Sequence, residues 1–129
     1  MPSYLLDTNI LIGCLRGHPR TTSLWRTLQS EGELCISSIT YLEVIAGIRP
    51  QEESLTYELL MSVTPFPLDN AVADQAGRLI VRHRSMGLTL ELADAAVAAT
   101  AILYGLTLVT YNTKDFPMLE LRLYPLPDV

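Results

Sequence analysis

The stretch Tyr4-Leu5-Leu6-Asp7-Thr8-Asn9-Ile10-Leu11-Ile12 decides the fold that this sequence predicts. An apolar run of strand length is followed directly by apolar residues at the spacing of a helix with one apolar face. We expect a strand over residues 3–7, followed by a helix that Thr8 or Asn9 can cap. Asp7 then lies where a buried strand ends, at the edge where open α/β sheets bind their ligands.

Short apolar runs alternate with helical patterns along the rest of the chain. Pro65 and Pro67 limit their strand to a sheet edge. The alternation predicts an α/β fold with a mostly parallel central sheet flanked by helices. At 129 residues, the chain is expected to form a single domain over 1–129. Further strands are expected at 34–37, 63–68, 106–110 and 121–124, and further helices at about 20–30, 39–48, 51–61, 69–86 and 91–104.

The composition indicates a globular chain without a membrane span. Hydrophobic residues make up 49% of the sequence, but no apolar run approaches the roughly 20 residues that cross a bilayer. The N-terminus lacks the features of a signal peptide, so we expect a cytoplasmic protein. Cys14 and Cys35 fit no zinc-binding spacing, and we interpret them as small buried hydrophobic residues without a disulfide.

The net charge of -5 argues against tight, general binding of nucleic acid, which favours a basic surface. Two features weaken that objection. Several of the fourteen acids would lie in a metal site, where the bound cation offsets their charge. Eight of the nine basic residues are arginines, whose guanidinium groups suit bidentate contacts to phosphate.

Four acids are candidates for one site, and each of them has a local alternative. Asp7 could serve only as a helix N-cap, although the polar residues after it could cap the same helix. Glu43 could close a capping box with Thr40 by bonding back to the Thr40 amide. If the helix begins at Ser38 instead, Glu43 is too deep for that box and faces the crevice at the strand ends.

Asp94 is the hardest of the four to explain without a function. Its helix is nearly apolar on every side, and a charge inside such a helix costs about several kcal/mol unless it is paired or bound to metal. The alternative is a surface position near the helix start, where the helix dipole favours an anion. Glu91 lies one turn earlier and could join the site or serve the helix start.

Asp115 follows the strand expected at 106–110. Together with Thr110 and Asn112, it would lie at the carboxyl edge of the sheet, beside Asp7. The alternative is an ordinary loop in which Asn112 caps a short turn that Asp115 stabilises.

The arrangement of the acids is more informative than any one of them. Carboxylates brought together without a cation would repel one another strongly. Oxygen-only ligands favour Mg²⁺ or Mn²⁺ over Zn²⁺, and no histidine or cysteine lies within these motifs. Such a metal polarises phosphoryl oxygens and activates water, so the pattern indicates metal-dependent cleavage of nucleic acid. The candidate catalytic and metal-binding residues are Asp7, Glu43, Asp94 and Asp115.

Four pieces of the sequence together resemble the PIN-domain ribonucleases, and in particular the single-domain VapC-type toxins of bacterial toxin–antitoxin pairs. They occur in the family's order and are LLDTNILI (5–12), SITYLEVIAG (38–47), LADAAVAATA (92–101) and LVTYNTKDF (108–116). The resemblance implies a PIN-like three-layer sandwich and Mg²⁺- or Mn²⁺-dependent endonucleolytic cleavage of RNA. It implies that the four acids bind the metal and that supporting polar groups orient them. Those supporting residues are Thr8, Asn9, Thr110 and Asn112.

The resemblance also implies a homodimer and a cognate antitoxin that binds in a groove near the site. The helices around 10–16, 20–30 and 39–60 could form that groove, or their apolar residues could be ordinary core. The candidate lining residues are Leu11, Leu15, Trp25, Leu28, Leu42 and Ile45.

One departure from the family pattern concerns Tyr111, where members often carry a basic residue. Tyr111 could stack on a base or merely pack. Contact with the phosphate of a substrate would then fall to Lys114, or to arginines that could equally be solvated surface groups. Those arginines are Arg16, Arg20 and Arg49.

Two other functions stay open on the sequence alone. A non-catalytic PIN-like module would bind RNA or protein without turnover. A phosphotransfer domain would use Asp7 as a nucleophile. Haloacid-dehalogenase-type phosphatases, however, carry a second aspartate two residues on, where this chain has Asn9.

Overall fold

A computed structural model describes residues 1–126 of the chain. The chain forms two turns of 3₁₀ helix, Pro50–Glu52 and Thr113–Asp115. The strands are β1 (Ser3–Leu6), β2 (Glu33–Ser37), β3 (Thr64–Phe66), β4 (Thr107–Val109) and β5 (Arg122–Leu123). The helices are α1 (Thr8–Leu15), α2 (Pro19–Glu31), α3 (Ser38–Gly47), α4 (Glu53–Met61), α5 (Asn70–Ser85) and α6 (Leu92–Tyr104).

The strands of residues 1–126 form one sheet in the order β3-β2-β1-β4-β5, and every neighbouring pair is parallel. The expected α/β fold with a parallel central sheet is therefore confirmed. β3 contains Pro65 and lies at an edge, where a strand tolerates a missing backbone donor. β5 has only 2 residues, so it is shorter than the expected strand at 121–124.

The order of the strands reverses beside β1, the middle strand. β2 and β3 are added on one side of it, and β4 and β5 are added on the other. The register pairs Leu6 with Val109 at the carboxyl ends of β1 and β4. Asp7 and Thr110, the next residue after each strand, therefore lie side by side at the crevice that α/β sheets use for ligands.

Both faces of the sheet are buried under helices. Leu5, Cys35 and Leu108 pack into a core with α5 and α6. The alternate residues, including Leu6 and Val109, pack into a second core with α1, α2, α3 and α4. Three layers result, with the sheet in the middle, as is usual for parallel strands.

The start of α1 differs from the expectation. The prediction that Thr8 or Asn9 caps this helix is wrong, because Asp7 is the N-cap and its side chain accepts a hydrogen bond from the Thr8 amide. Asp7 has extended backbone directly after β1, so its carboxylate lies at the helix end whose dipole favours an anion. Capping does not exclude Asp7 from the candidate site.

The two cysteines are free thiols. Cys35 is buried as expected, whereas Cys14 is only partly buried. None of the helices in residues 1–126 combines the length and the hydrophobicity of a membrane span.

Candidate active site

Asp7 is almost completely buried and is held through both carboxylate oxygens. Its Oδ1 accepts from the Thr8 amide at 2.9 Å, and its Oδ2 accepts from Thr110 Oγ1 at 2.7 Å. Burial raises the pKa of Asp7, while these two hydrogen bonds lower that pKa because they favour the charged form. The charges of Glu43 and Asp115 raise the pKa further, so both carboxylates lie within electrostatic reach of Asp7.

Thr110 and Asn9 join the end of β4 to the start of α1. Asn9 Nδ2 donates to Thr110 Oγ1 at 3.3 Å and lies 3.5 Å from Asp7 Oδ2. Asn9 Oδ1 accepts from the Tyr111 amide at 3.2 Å, and the Asn112 amide donates to Thr110 Oγ1 at 3.0 Å. Thr110 thus donates its hydroxyl hydrogen to Asp7 while its oxygen accepts from two neighbouring donors.

Glu43 reaches the same place from α3. The helix begins at Ser38, so Glu43 is too deep to close a capping box with Thr40. Its Oε1 instead accepts from Thr8 Oγ1 at 2.7 Å. Thr8 therefore binds Glu43 through its hydroxyl group and Asp7 through its backbone amide.

Asp94 lies in the first turn of α6 and is half-buried. The pKa of Asp94 is raised to about 6, first by burial and then by the charges of neighbouring acids, which are, in order of effect, Asp7, Asp115, Glu43 and Glu91. Within residues 1–126, no group donates a hydrogen bond to its carboxylate. Its place near the helix start is the one the dipole favours, but burial and the surrounding acids together outweigh that benefit.

Asp115 ends the short 3₁₀ turn after β4 and is exposed. Its charge raises the pKa of both Asp7 and Asp94, which places it in the same electrostatic neighbourhood. Asn112 begins this turn, but its side chain makes no capping hydrogen bond. The contact of Asn112 with Thr110 is made by its backbone amide alone.

The four carboxylates influence one another without forming a closed cage. Among the described residues, no three histidine, cysteine, aspartate or glutamate side chains are arranged so that they could hold a metal ion. Mg²⁺ is commonly bound through one or two carboxylates and keeps several of its waters. The oxygen donors therefore fit a hydrated hard cation, and they do not fit the nitrogen and sulfur ligands typical of zinc.

A cavity of about 250 Å³ opens beside Asp94 and Asp115. Lys114 lines it, and so does Glu91, which begins α6 without capping it through its side chain. His83 of α5 also lines the cavity, although it is buried and its Nδ1 lies 2.8 Å from a backbone carbonyl oxygen of its own helix. The sequence gives no signal that links His83 to this site, because α5 contains none of the acidic motifs.

The candidate substrate-binding residues differ in how they are held. Arg16 pairs with Glu52 at 3.2 Å, so its charge is already partly balanced. The Tyr111 hydroxyl lies 2.7 Å from Thr21 Oγ1, and the guanidinium carbon of Arg20 lies 4.8 Å from the centre of the Tyr111 ring. Sequence reasoning missed the Thr21 contact, since the two residues lie in unrelated segments.

The apolar residues that could line a groove do not behave as one group. Leu11, Trp25 and Leu28 are buried in the core beneath α1–α4, so they are ordinary core residues. Leu15 lines an open cavity of about 310 Å³ between α1 and α4. The other two, on α3, are the exposed Leu42 and the partly buried Ile45.

Comparison with known proteins identifies the family to which this arrangement belongs. The family model of the PIN domain matches residues 4–119. The chain belongs to the PIN-domain family. The resemblance that the four sequence motifs predict is therefore confirmed.

This PIN domain is similar in sequence to proteins named as ribonucleases. Ribonuclease VapC10 of Mycobacterium tuberculosis is 34% identical over 116 residues, which cover 90% of the chain and 87% of the relative. The tRNA(fMet)-specific endonuclease VapC of Shigella flexneri is 30% identical over 121 residues, which cover 90% of the chain and 91% of the relative.

Solved structures share the fold of this PIN domain. VapBC2 from Rickettsia felis, bound to a DNA fragment from its promoter, has a TM-score of 0.83 at 25% identity and covers 95% of this chain and 97% of that chain. A toxin–antitoxin complex from Klebsiella pneumoniae has a TM-score of 0.77 at 31% identity, with coverage of 90% and 92%. The predicted PIN-like three-layer sandwich is confirmed.

Proposed function

We propose that this PIN domain is a metal-dependent endoribonuclease that hydrolyses RNA phosphodiester bonds. We further propose that it is a single-domain protein of the cytoplasm and the toxin of a type II toxin–antitoxin system. The ribonuclease and the tRNA-specific endonuclease that match 90% of the chain support the activity. Toxin–antitoxin structures with the same fold support the biological context.

The crowding of four carboxylates at the switch point of the sheet is the observation that carries the proposal. Asp94 has its pKa raised to about 6 by burial and by the other acids of the cluster. Such crowding destabilises a protein unless a cation offsets the charge. A site that binds a divalent cation explains why these side chains lie together.

The residues that would hold Mg²⁺ or Mn²⁺ are Asp7, Glu43, Asp94 and Asp115, through carboxylate oxygens with water as the remaining ligands. When bound, such an ion polarises a phosphoryl oxygen and lowers the pKa of a coordinated water.

The chain's own residues would orient the acids and the substrate. The hydrogen bonds from Thr110 and the Thr8 amide favour the ionised form of the Asp7 carboxylate and fix its direction. The Thr8 hydroxyl fixes the direction of the Glu43 carboxylate. Lys114, exposed beside Asp115, would contact an RNA phosphate and oppose the repulsion between RNA and the acids.

Incubation of the purified protein with total RNA tests the proposal. We expect cuts in Mg²⁺ or Mn²⁺ and none in EDTA, with the ends mapped by sequencing. Asp94→Asn should abolish cutting, whereas Asp74→Asn, which changes an exposed acid of α5 paired with Arg78, should not. Cutting at the wild-type rate by Asp94→Asn would contradict the assignment of that residue.

A non-catalytic PIN-like module that binds RNA or protein is the second candidate. It is favoured by the lack, within residues 1–126, of three side chains arranged to hold a metal. This candidate predicts that the protein binds RNA but leaves it intact under every metal condition. The same incubation, with a gel-shift measurement beside it, distinguishes the two.

We also propose a cognate antitoxin and a homodimer as assembly partners. The open apolar cavity between α1 and α4, lined by Leu15, Leu55 and Leu59, is a suitable place for an antitoxin segment. Co-purification with the product of an adjacent gene and a mass measurement in solution test these two partners separately.

A further inference from the structure

A second cavity, of about 380 Å³, lies on the α1–α2 side of the carboxylates. Its lining includes Asn9 and Gly13 of α1, His18 and Arg20 at the start of α2, and Tyr111 after β4. Its volume falls in the range of ligand sites in proteins. The function proposed above makes no use of this space.

Asn9 joins this cavity to the carboxylates. Its Oδ1 accepts from the Tyr111 amide at 3.2 Å, and its Nδ2 lies 3.5 Å from Asp7 Oδ2. One side chain therefore spans the distance from the cavity wall to a candidate metal ligand. A group bound in the cavity would be the immediate neighbour of a phosphate bound at the carboxylates.

The wall of the cavity contains a preformed pair of an aromatic ring and a cation. Arg20 Cζ lies 4.8 Å from the centre of the Tyr111 ring, within the range of a cation–π contact. Thr21 Oγ1 lies 2.7 Å from the Tyr111 hydroxyl and fixes the ring at its far edge. Aromatic rings and guanidinium planes are the surfaces on which proteins stack single-stranded bases.

Gly13 makes this arrangement possible. A Cβ atom at Gly13 would lie only 2.7 Å from Thr21 Oγ1, so any larger residue would displace the threonine that holds Tyr111. The close packing of α1 on α2 thus fixes the ring before any ligand arrives, which reduces the entropy lost on binding.

The two cavities beside the carboxylates differ in charge. Three acids and Lys114 line the cavity at α6. Arg20 lines the cavity at Tyr111, where its guanidinium group lies over the tyrosine ring. The whole chain carries a net charge of -5, which repels RNA phosphates. An RNA strand on the Tyr111 side keeps its phosphates away from the three acids that line the cavity at α6.

We propose that this cavity binds the nucleotide next to the scissile phosphate, with its base stacked on the Tyr111–Arg20 pair and its phosphate in contact with Arg20. The proposal rests on the ribonuclease activity proposed above and adds a substrate-positioning site to it. Every base has a π-face, so the site positions the strand without strong selection of sequence.

The test combines a change in the protein with a change in the RNA. All proteins carry Asp94→Asn so that the RNA stays intact, and fluorescence anisotropy follows binding of a short single-stranded RNA. Tyr111→Leu should weaken binding about tenfold, as expected for one stacked base. An abasic site is then placed at each RNA position in turn. At one position it should weaken binding by the parent protein, which carries Asp94→Asn alone, about tenfold. At the same position it should not change binding by the Tyr111→Leu protein.

Three further variants control the test. Tyr111→Phe loses the hydroxyl but keeps the ring, so it should retain most of the affinity. Tyr57→Leu removes an exposed tyrosine of α4 outside this cavity and should bind like the parent. Arg20→Gln leaves Tyr111 in place and should weaken binding and reduce its salt dependence, so it tests the site even if Tyr111→Leu fails to fold.

Two results would overturn the proposed nucleotide site. One is that, at every RNA position, an abasic site weakens binding by the parent protein and by the Tyr111→Leu protein equally. The other is an Arg20→Gln protein with unchanged affinity and salt dependence. Wild-type cleavage assays separate this failure from that of the enzyme: RNA that is cut despite either result rejects only the cavity, whereas uncut RNA rejects the proposed function.

Discussion

Thr110 Oγ1 donates a 2.7 Å hydrogen bond to Asp7 Oδ2, although the two residues are 103 positions apart in the chain. The parallel register of β1 and β4 creates this contact by placing the residue after each strand side by side. Both side chains are buried, so no water replaces the bond if it is lost. Thr110 is therefore the residue that most directly fixes the direction of the Asp7 carboxylate.

Thr110→Val should lower the rate of RNA cleavage about 10- to 100-fold, the usual effect of removing a residue that orients a metal ligand. The lost hydrogen bond favours the charged form of Asp7, so its removal raises the Asp7 pKa. The acidic limb of the pH–rate profile should therefore move to higher pH. Thr107→Val, on the same strand, is the control. An unchanged rate and profile for Thr110→Val would show that the contact is dispensable.

Asp94→Asn should stabilise the metal-free protein at neutral pH. The folded-state pKa of Asp94 is about 6, above its ordinary value of 3.8. A raised acid pKa leaves stability intact below about pH 4 and lowers it as the pH rises towards 6. Because solvent screens a half-buried charge, we expect a gain of only about 1 kcal/mol above that pH, or roughly 3 to 5 °C in Tm.

Thermal melting in EDTA at a series of pH values measures this effect. The advantage of Asp94→Asn over the wild type should be largest at neutral pH and should shrink as the pH falls towards 4. Asp74→Asn provides a control whose small effect should not vary in this way, because that exposed acid lies outside the cluster. A constant difference across the series would show that the charge of Asp94 does not destabilise the folded protein.

Addition of Mn²⁺ should reverse the order of stability of the two proteins. A ligand that binds only the folded state stabilises it by about 2.7 kcal/mol at 100 times its Kd. The wild type should therefore gain several degrees in Tm, whereas Asp94→Asn, which lacks one carboxylate, should gain much less. Melting curves with and without Mn²⁺ give the comparison. If both proteins gained equally, the ion would be bound elsewhere.

The sequence predicts the parts of this molecule that depend on neighbouring residues. Apolar runs such as Leu34-Cys35-Ile36 form strands because both of their faces are buried under helices. Asp7 and Asp115 could be placed at the sheet edge because each follows such a run. Asp7 also shows a limit of prediction from sequence. Thr8 and Asn9 are equally suitable cap residues, and only the backbone geometry makes Asp7 the N-cap of α1.

Two contacts between distant segments could not be predicted from the sequence. The Arg16–Glu52 ion pair depends on how α1 lies beside the turn before α4, and it makes Arg16 a weaker candidate for phosphate contact. The Tyr111–Thr21 contact joins residues 90 positions apart. Local patterns carry no information about such distances, because the order and register of the strands set them.

Thr40→Val should stabilise the protein. Thr40 is completely buried on α3, and within the described residues its Oγ1 has no hydrogen-bond partner. A buried hydroxyl without a partner costs about 1 kcal/mol or more, and valine fills the same volume without it. We therefore expect a rise of about 1 kcal/mol in the free energy of unfolding, measured by urea denaturation.

Thr100→Val is the matched comparison for that change. Thr100 is equally buried in a helix, but its Oγ1 donates to the carbonyl oxygen of Ala96 at 2.8 Å. The same substitution there removes a satisfied hydrogen bond and should lower the free energy of unfolding by about 0.5 to 1.5 kcal/mol. Opposite signs for the two variants follow from the state of the hydroxyl, because burial and chemical change are the same. A loss of stability in Thr40→Val as large as that in Thr100→Val would mean that the Thr40 hydroxyl has a partner in solution, such as a buried water.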